Sequence, residues 1–196
     1  MALKAEMKGG AKPKDVPQAG THMARLVGLT DLGHQPGFQF KGNDIPSAYK
    51  IEFTYELPNS KTVDGRPHWI SEDVKVNSFE GKGIISTMMA RVRTLDPDND
   101  SEDGKDLQAL LTKPCMVTVS MGENGYPKLK GQACVSGIPM GMEVPELENP
   151  SFAFDMDDPD MDLYEGFPEF KKGKLKAALN YEETSLSREL ALEDSL

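Results

Sequence analysis

The chain has 196 residues, enough for one domain with a sizeable core and short for two. Hydrophobic residues make up 38% and charged residues 28%, and no apolar run approaches the roughly eighteen residues of a spanning helix. The formal net charge of −10 argues against a nucleic-acid binder only as an average. From Gly141 to Leu196 there are 15 acids against 5 bases, which leaves the first 140 residues neutral with 17 of each.

Residues 1–20 hold Lys4, Lys8, Lys12 and Lys14 among glycines and prolines, without periodicity, and predict a mobile basic arm. No apolar stretch follows the N-terminus, so no secretory signal is expected. Cys115 and Cys134 are too few for a disulfide framework, which points to a reducing compartment. Met23–Leu32 predicts a first strand that runs into a loop at His34-Gln35-Pro36-Gly37. Ala48–Leu57 alternates strictly, with Tyr49, Ile51, Phe53, Tyr55 and Leu57 on one face and Lys50, Glu52, Thr54 and Glu56 on the other. That is a half-buried strand. Pro58-Asn59 and Asp64-Gly65 connect it to a returning strand at His68–Val76.

From Ser78 to Leu95 the period changes to a helical stripe of Ile84, Ile85, Met88, Met89 and Val92, with Ser78 a candidate cap. A polar loop at 96–103 and a short second helix around Leu107, Leu110 and Leu111 follow. The last two strands are expected at Cys115–Met121 and Lys128–Ile138, joined through Glu123-Asn124-Gly125-Tyr126. A two-residue turn there would place Cys115 opposite Cys134 and mix apolar with polar faces. A bulged turn with Gly125 left-handed restores apolar pairing, and both thiols stay reduced.

Three strands, a helical insert and two strands are the element order of an OB-fold, a five-stranded partly open barrel. The fold class is thus mainly β with a helical insert (α+β), another small barrel or an α+β sheet being the alternatives. The expected boundaries are the arm at 1–20 and the OB domain at 21–140. An acidic segment with a short basic helix over Phe167–Leu179 packs on or near the core at 141–181, and an acidic tail occupies 182–196.

Several stretches carry a resemblance. They are Ala24-Arg25-Leu26-Val27 with Asp31-Leu32-Gly33, Ala48-Tyr49-Lys50 through Glu56-Leu57, and Trp69-Ile70-Ser71. Leu107–Val117, Gly141-Met-Glu-Val-Pro and Phe154-Asp-Met-Asp-Asp-Pro-Asp complete the series. In this order, over residues 20 to 182, the chain resembles the OB-fold single-stranded-DNA-binding proteins of tailed bacteriophages. The resemblance implies coating of single strands during phage DNA replication, recombination and repair, in the cytoplasm of an infected bacterium. It also implies an acidic tail that recruits polymerase, helicase or nuclease partners. After the third strand, GKGIISTMMARVRT has fewer bases than that family's pattern.

Sequence-tolerant strand binding needs aromatic faces for bases and cations for phosphates. The stacking candidates are Tyr49, Phe53, Tyr55, Trp69, Phe79 and Tyr126. Phe53 and Tyr55 share a face with Ile51 and Leu57, which favours core packing, whereas Trp69 falls on the polar face with Ser71, Asp73 and Lys75. The phosphate candidates are Arg66, His68, Lys75, Arg91, Arg93, Lys128 and Lys130. The tail, ending in Leu192, Glu193, Asp194, Ser195 and Leu196, would mimic nucleic acid over the groove and engage partners, or simply keep the protein soluble.

Enzyme readings find little support. Lys61-Thr-Val-Asp-Gly65 has one residue too many for a nucleotidyltransferase lysine motif, and no phosphate-cradling glycine loop occurs. His22, His34 and His68 lack metal-ligand spacing, and Asp155 to Asp162 lack the glycine and glutamate of a calcium loop. No catalytic residue, cofactor, metal or membrane contact is expected; self-association along DNA is. The alternative is an OB-like protein–protein adaptor of a replication or virion assembly, without nucleic acid.

Overall fold

The computed structural model describes residues 15–76, 86–98 and 106–193. Their strands are β1 (Gly20–Gln35), β2 (Phe38–Phe40), β3 (Asn43–Ile45), β4 (Ala48–Lys61), β5 (Pro67–Lys75), β6 (Pro114–Met121), β7 (Pro127–Leu129), β8 (Val135–Ser136) and β9 (Phe152–Phe154). The helices are α1 (Thr87–Leu95), α2 (Met161–Glu165), α3 (Glu169–Lys176) and α4 (Ser185–Glu193). The result is mostly β: a curled antiparallel sheet, in effect a half-barrel, in the order β5-β4-β1-β6-β7, with a few helices. Its two end strands, β5 and β7, approach each other.

β1 organises the sheet. One edge pairs with β4 from Arg25↔Glu56 to Gln35↔Ala48, with irregularities at Leu26/Gly28 and Asp31/His34. Its other edge pairs with β6 from Gly20↔Val119 to Arg25↔Pro114. Where β6 stops, β9 takes the same edge in parallel, with Gly28↔Phe152 and Thr30↔Phe154. Gly28 is required there, because a Cβ would lie 2.1 Å from the Phe152 ring.

The alternation in β4 produces the expected strand. Phe53, Tyr55 and Leu57 are fully buried with Leu26, Ile70, Val74, Val117 and Val119, under Met88, Val92 and Leu95 of α1. The β6–β7 connection is the bulged form: Gly125 has φ +70° and Val119 faces Leu129. The final strand is shorter than Lys128–Ile138, since Gly131 at φ +80° and a 3-10 turn at Gln132–Cys134 separate β7 from β8. α1 begins at Thr87 with the Ser86 side chain accepting from the Met89 N–H. The expected start at Ser78, with Ile84 and Ile85, lies outside the described residues, and only a 3-10 turn at Gln108–Leu110 stands near Leu107–Leu111.

Arg91 holds the interior together. It is fully buried, with Nε 2.5 Å from Glu72 Oε1 and Nη2 2.8 Å from Oε2. It also donates to the carbonyls of Gln132 (2.6 Å) and Gly131 (3.2 Å). The Tyr55 hydroxyl donates to Glu72 as well. One guanidinium therefore joins α1, β5 and the break before β8. Cys115 and Cys134 are both free and buried beside this network, and burial pushes the Cys115 thiol up to about 12.

A second core lies on the outer side of the sheet, where Leu32 meets Phe154, Met156, Tyr164, Phe167, Leu175 and Leu186. The basic helix expected over Phe167–Leu179 is α3. Residues 182–193, expected as part of an extended acidic tail, carry the end of a 3-10 turn at Tyr181–Glu183 and then α4, whose Leu186 is fully buried. Leu186 N–H donates to the Met156 carbonyl, so an apolar contact and a backbone bond fix this stretch. Residues 1–14 of the basic arm and 194–196 of the acidic end lie outside the described residues.

Removing one partner of a buried ion pair strands the other charge, at about 3–5 kcal/mol. Arg91→Met should lower unfolding stability by that order in urea titrations, and adding Glu72→Gln should restore part of it.

Candidate nucleic-acid interface

Glu56 sits on the outer face of β4, fully buried, and accepts three hydrogen bonds. The Trp69 indole donates to Oε2 at 3.1 Å, the Asn149 amide donates to the same oxygen at 2.7 Å, and the Glu148 N–H donates to Oε1 at 2.7 Å. Trp69 lies directly across the ladder from Glu56. Its ring rests against Phe152, 5.9 Å between centroids, and is 43% exposed. The tryptophan is thus half-exposed yet oriented on two sides, which limits the entropy it loses on meeting a ligand.

Further along the same face, Glu52 is also buried. Lys171 Nζ lies 2.5 Å from Glu52 Oε1, and Lys174 Nζ lies 3.4 Å from Oε2 and 2.8 Å from Asp73 Oδ1. Burial lowers the Lys174 pKa, but Asp73 and Glu52 outweigh that and hold it above the ordinary lysine value. Its stabilisation is therefore complete below about pH 10.5 and is lost as pH rises beyond it. Residues 148–174 thus cover the outer face of β4 and β5, and between Trp69 and α3 they leave a groove of about 500 Å³.

The two connections at opposite ends of β1 are more open. Gly20 pairs with Val119, so the turn after β6 lies at the N-terminal end of β1. Tyr126 is 55% exposed there, and Lys128 and Lys130 follow, both exposed. At the C-terminal end, β2 and β3 form a small separate hairpin with Phe38 55% and Phe40 56% exposed. Lys41 Nζ sits 5.5 Å from the Phe40 centroid, at a positive φ of 50° in the turn. None of these three residues stood among the expected site residues. Their signal was present: Phe38-Gln39-Phe40 alternates after Gly37 and leads into Lys41-Gly42, a two-residue hairpin turn.

The expected site residues fall into three groups. Phe53, Tyr55 and Arg91 are fully buried and serve the interior. Three others are held by neighbours: the Tyr49 hydroxyl donates to Asp31, His68 is buried between Ser60 and Asp15, and exposed Arg66 pairs with Asp64. Burial, then the Asp31 carboxylate, raises the Tyr49 pKa. Trp69, Arg93, Tyr126, Lys128 and Lys130 are exposed, and Lys75 is partly exposed, across the ladder from Lys50. At the acidic end, Leu192 is 63% exposed and Glu193 is exposed, while Asp194, Ser195 and Leu196 lie outside the described residues, as does Phe79.

Among the described residues no group of three or more histidines, cysteines or acids is placed to hold a metal. A smaller hollow of about 350 Å³ beside Asp31 and Tyr49 is lined by Asp155 and Asp158, and is poorly suited to phosphate. No helix of the described residues is long and apolar enough to cross a membrane. Comparisons with family models, curated proteins and solved structures returned no match.

Glu56→Ala removes the acceptor of three donors. Hydrogen bonds to a charged group are worth about 1.5–3 kcal/mol each, so stability should fall by at least about 2 kcal/mol. Emission from the single tryptophan should also shift to the red, and its anisotropy should drop as Trp69 loses its anchor.

Proposed function

We propose that the chain binds and protects single-stranded DNA as a phage-type OB-fold protein. The order β5-β4-β1-β6, with β6 returning beside β1 after α1, is a Greek-key arrangement of three hairpin-linked strands and a fourth. With β7 the path has five strands, the number in an OB barrel, which supports the reading. The observation that carries the reading is where the exposed aromatics lie. OB-folds take oligonucleotides with the loop after their first strand and the loop between their fourth and fifth. Here the first loop presents Phe38, Phe40 and Lys41, and the second presents Tyr126 ahead of Lys128 and Lys130. Aromatic faces accept bases without regard to sequence, and the lysines follow the backbone.

In this reading the net acidity is no obstacle, because it belongs to residues 141–196 and leaves the first 140 residues neutral. The exposed tip around Leu192 and Glu193 is the element that recruits replication partners and competes with the strand for the basic loops. A second reading, a protein–protein adaptor, is favoured by one observation: the outer face of β4 and β5 is already occupied by residues 148–174.

Labelled oligo-dT should bind the full chain better than duplex of equal length. Each lost phosphate contact should flatten the log–log salt slope by about 0.7, as in Lys128→Ala and Lys130→Ala. Phe40→Ala and Tyr126→Ala should each weaken binding about fivefold or more, from the 1–3 kcal/mol of one stacked base. No shift of oligo-dT at low salt would overturn the reading in favour of the adaptor.

A further inference from the structure

We infer that the groove between Trp69 and Phe170 is a pocket for one unstacked nucleobase. The inference rests on the single-strand reading and assigns that strand a specific contact. At about 500 Å³ the groove falls within the range of small-ligand sites. Its apolar walls are aromatic and incompletely covered, Trp69 at 43% and Phe170 at 67% exposure. Phe152 and Phe167 back them, 6.3 Å apart between centroids. Trp69 is held by Glu56 and Phe152, so a flat ring would meet a surface already in place.

The polar groups suit a base edge. Thr54 and Ser71 share a 3.0 Å hydrogen bond between their hydroxyls, which consumes one of two protons and leaves the second for a ligand acceptor. The Asn149 amide gives a proton to Glu56, and its carbonyl oxygen keeps acceptor capacity for a donor on the base edge, such as the ring N–H of thymine.

Charge selects the ligand class. Lys171 borders the groove but is buried, matched by Glu52 at 2.5 Å and placed 4.6 Å from the Phe167 centroid. Asp162 is the carboxylate at the rim. With its lysine already neutralised and an acid beside it, the groove offers nothing to a phosphate or an acidic peptide. It fits a neutral planar heteroaromatic ring, with the phosphates left outside. A base stacked within a duplex could not enter, so the pocket would also discriminate for single strands.

The chain has one tryptophan, so its emission reports this groove directly. Wild-type protein and Phe170→Ala, whose altered side chain is mostly solvent-exposed, would be titrated with labelled oligo-dT while Trp69 emission is followed. Matching thermal melts would establish that the variant is folded. Thymidine and deoxyribose 5-phosphate would be tested as free probes. Expected are quenching in step with oligo-dT binding, quenching by millimolar thymidine but not by the sugar phosphate, and at least a fivefold affinity loss in Phe170→Ala. Oligo-dT binding with unchanged emission and unaltered Phe170→Ala affinity would overturn the pocket while leaving strand binding intact. Quenching by a peptide of residues 185–196 and not by oligo-dT would overturn it in favour of a peptide groove. Absence of oligo-dT binding by any readout would remove the parent reading, and the pocket with it.

Discussion

Strand β4 is buried on both faces, and most of the molecule is arranged to satisfy that condition. Phe53, Tyr55 and Leu57 fill the inner core, which needs only shape. Glu52, Thr54 and Glu56 fill the outer face, and two of those are carboxylates that a dry environment does not tolerate unpaired. Lys171 and Lys174 answer Glu52, while Trp69, Asn149 and the Glu148 backbone answer Glu56. These bonds fix the register in which residues 148–174 lie across the sheet. The second core, from Leu32 to Leu186, then closes around the aligned layer. A buried charge is weak evidence for stability but a strong constraint on geometry, since only one placement of the cover satisfies it.

What could be read directly was the ladder and its turns. The strict alternation of 48–57, the Asp64-Gly65 turn and the left-handed Gly125 all follow from local backbone chemistry, and β5 and β6 appear where it puts them, whereas β4 runs on through Pro58-Asn59 to Lys61 and the last strand breaks after Leu129. The cover was not legible for a physical reason. Lys, Glu and Thr on alternate positions describe a solvated face and a salt-bridged buried face equally well. The aspartates of 155–162 likewise concealed Phe152, Phe154 and Met156, whose spacing of two marks a strand.

Arg91 is instructive in the same way. Viewed as a charge, it belonged with the phosphate ligands. Viewed by position, it shares a helical stripe with Met88, Val92 and Leu95, three before, one after and four after, which is the buried face of α1. At the site, exposed aromatics were partly recoverable: Trp69 by its parity and Tyr126 by its turn. Phe152, which packs on Trp69, and Phe170, which lines the same groove, were not, because their placement depends on a layer set by tertiary ion pairs. The proposed binding surface thus divides into loops that local sequence specifies and a groove that only the assembled molecule creates.

The parallel pairing of β9 with β1 has a consequence for how the protein is made. More than a hundred residues separate Gly28 from its ladder partner Phe152. Until the last quarter of the chain has left the ribosome, half of one β1 edge, Leu32 and the carboxylates of β4 face water or another chain. Such long-range closure is slow, and an open edge beside an apolar strand is prone to pair with the wrong partner. The acidic stretch that arrives last therefore finishes the sheet as well as covering it. A nascent chain stalled near residue 140 would therefore carry an unpaired strand edge beside bare carboxylates, a surface suited to a chaperone.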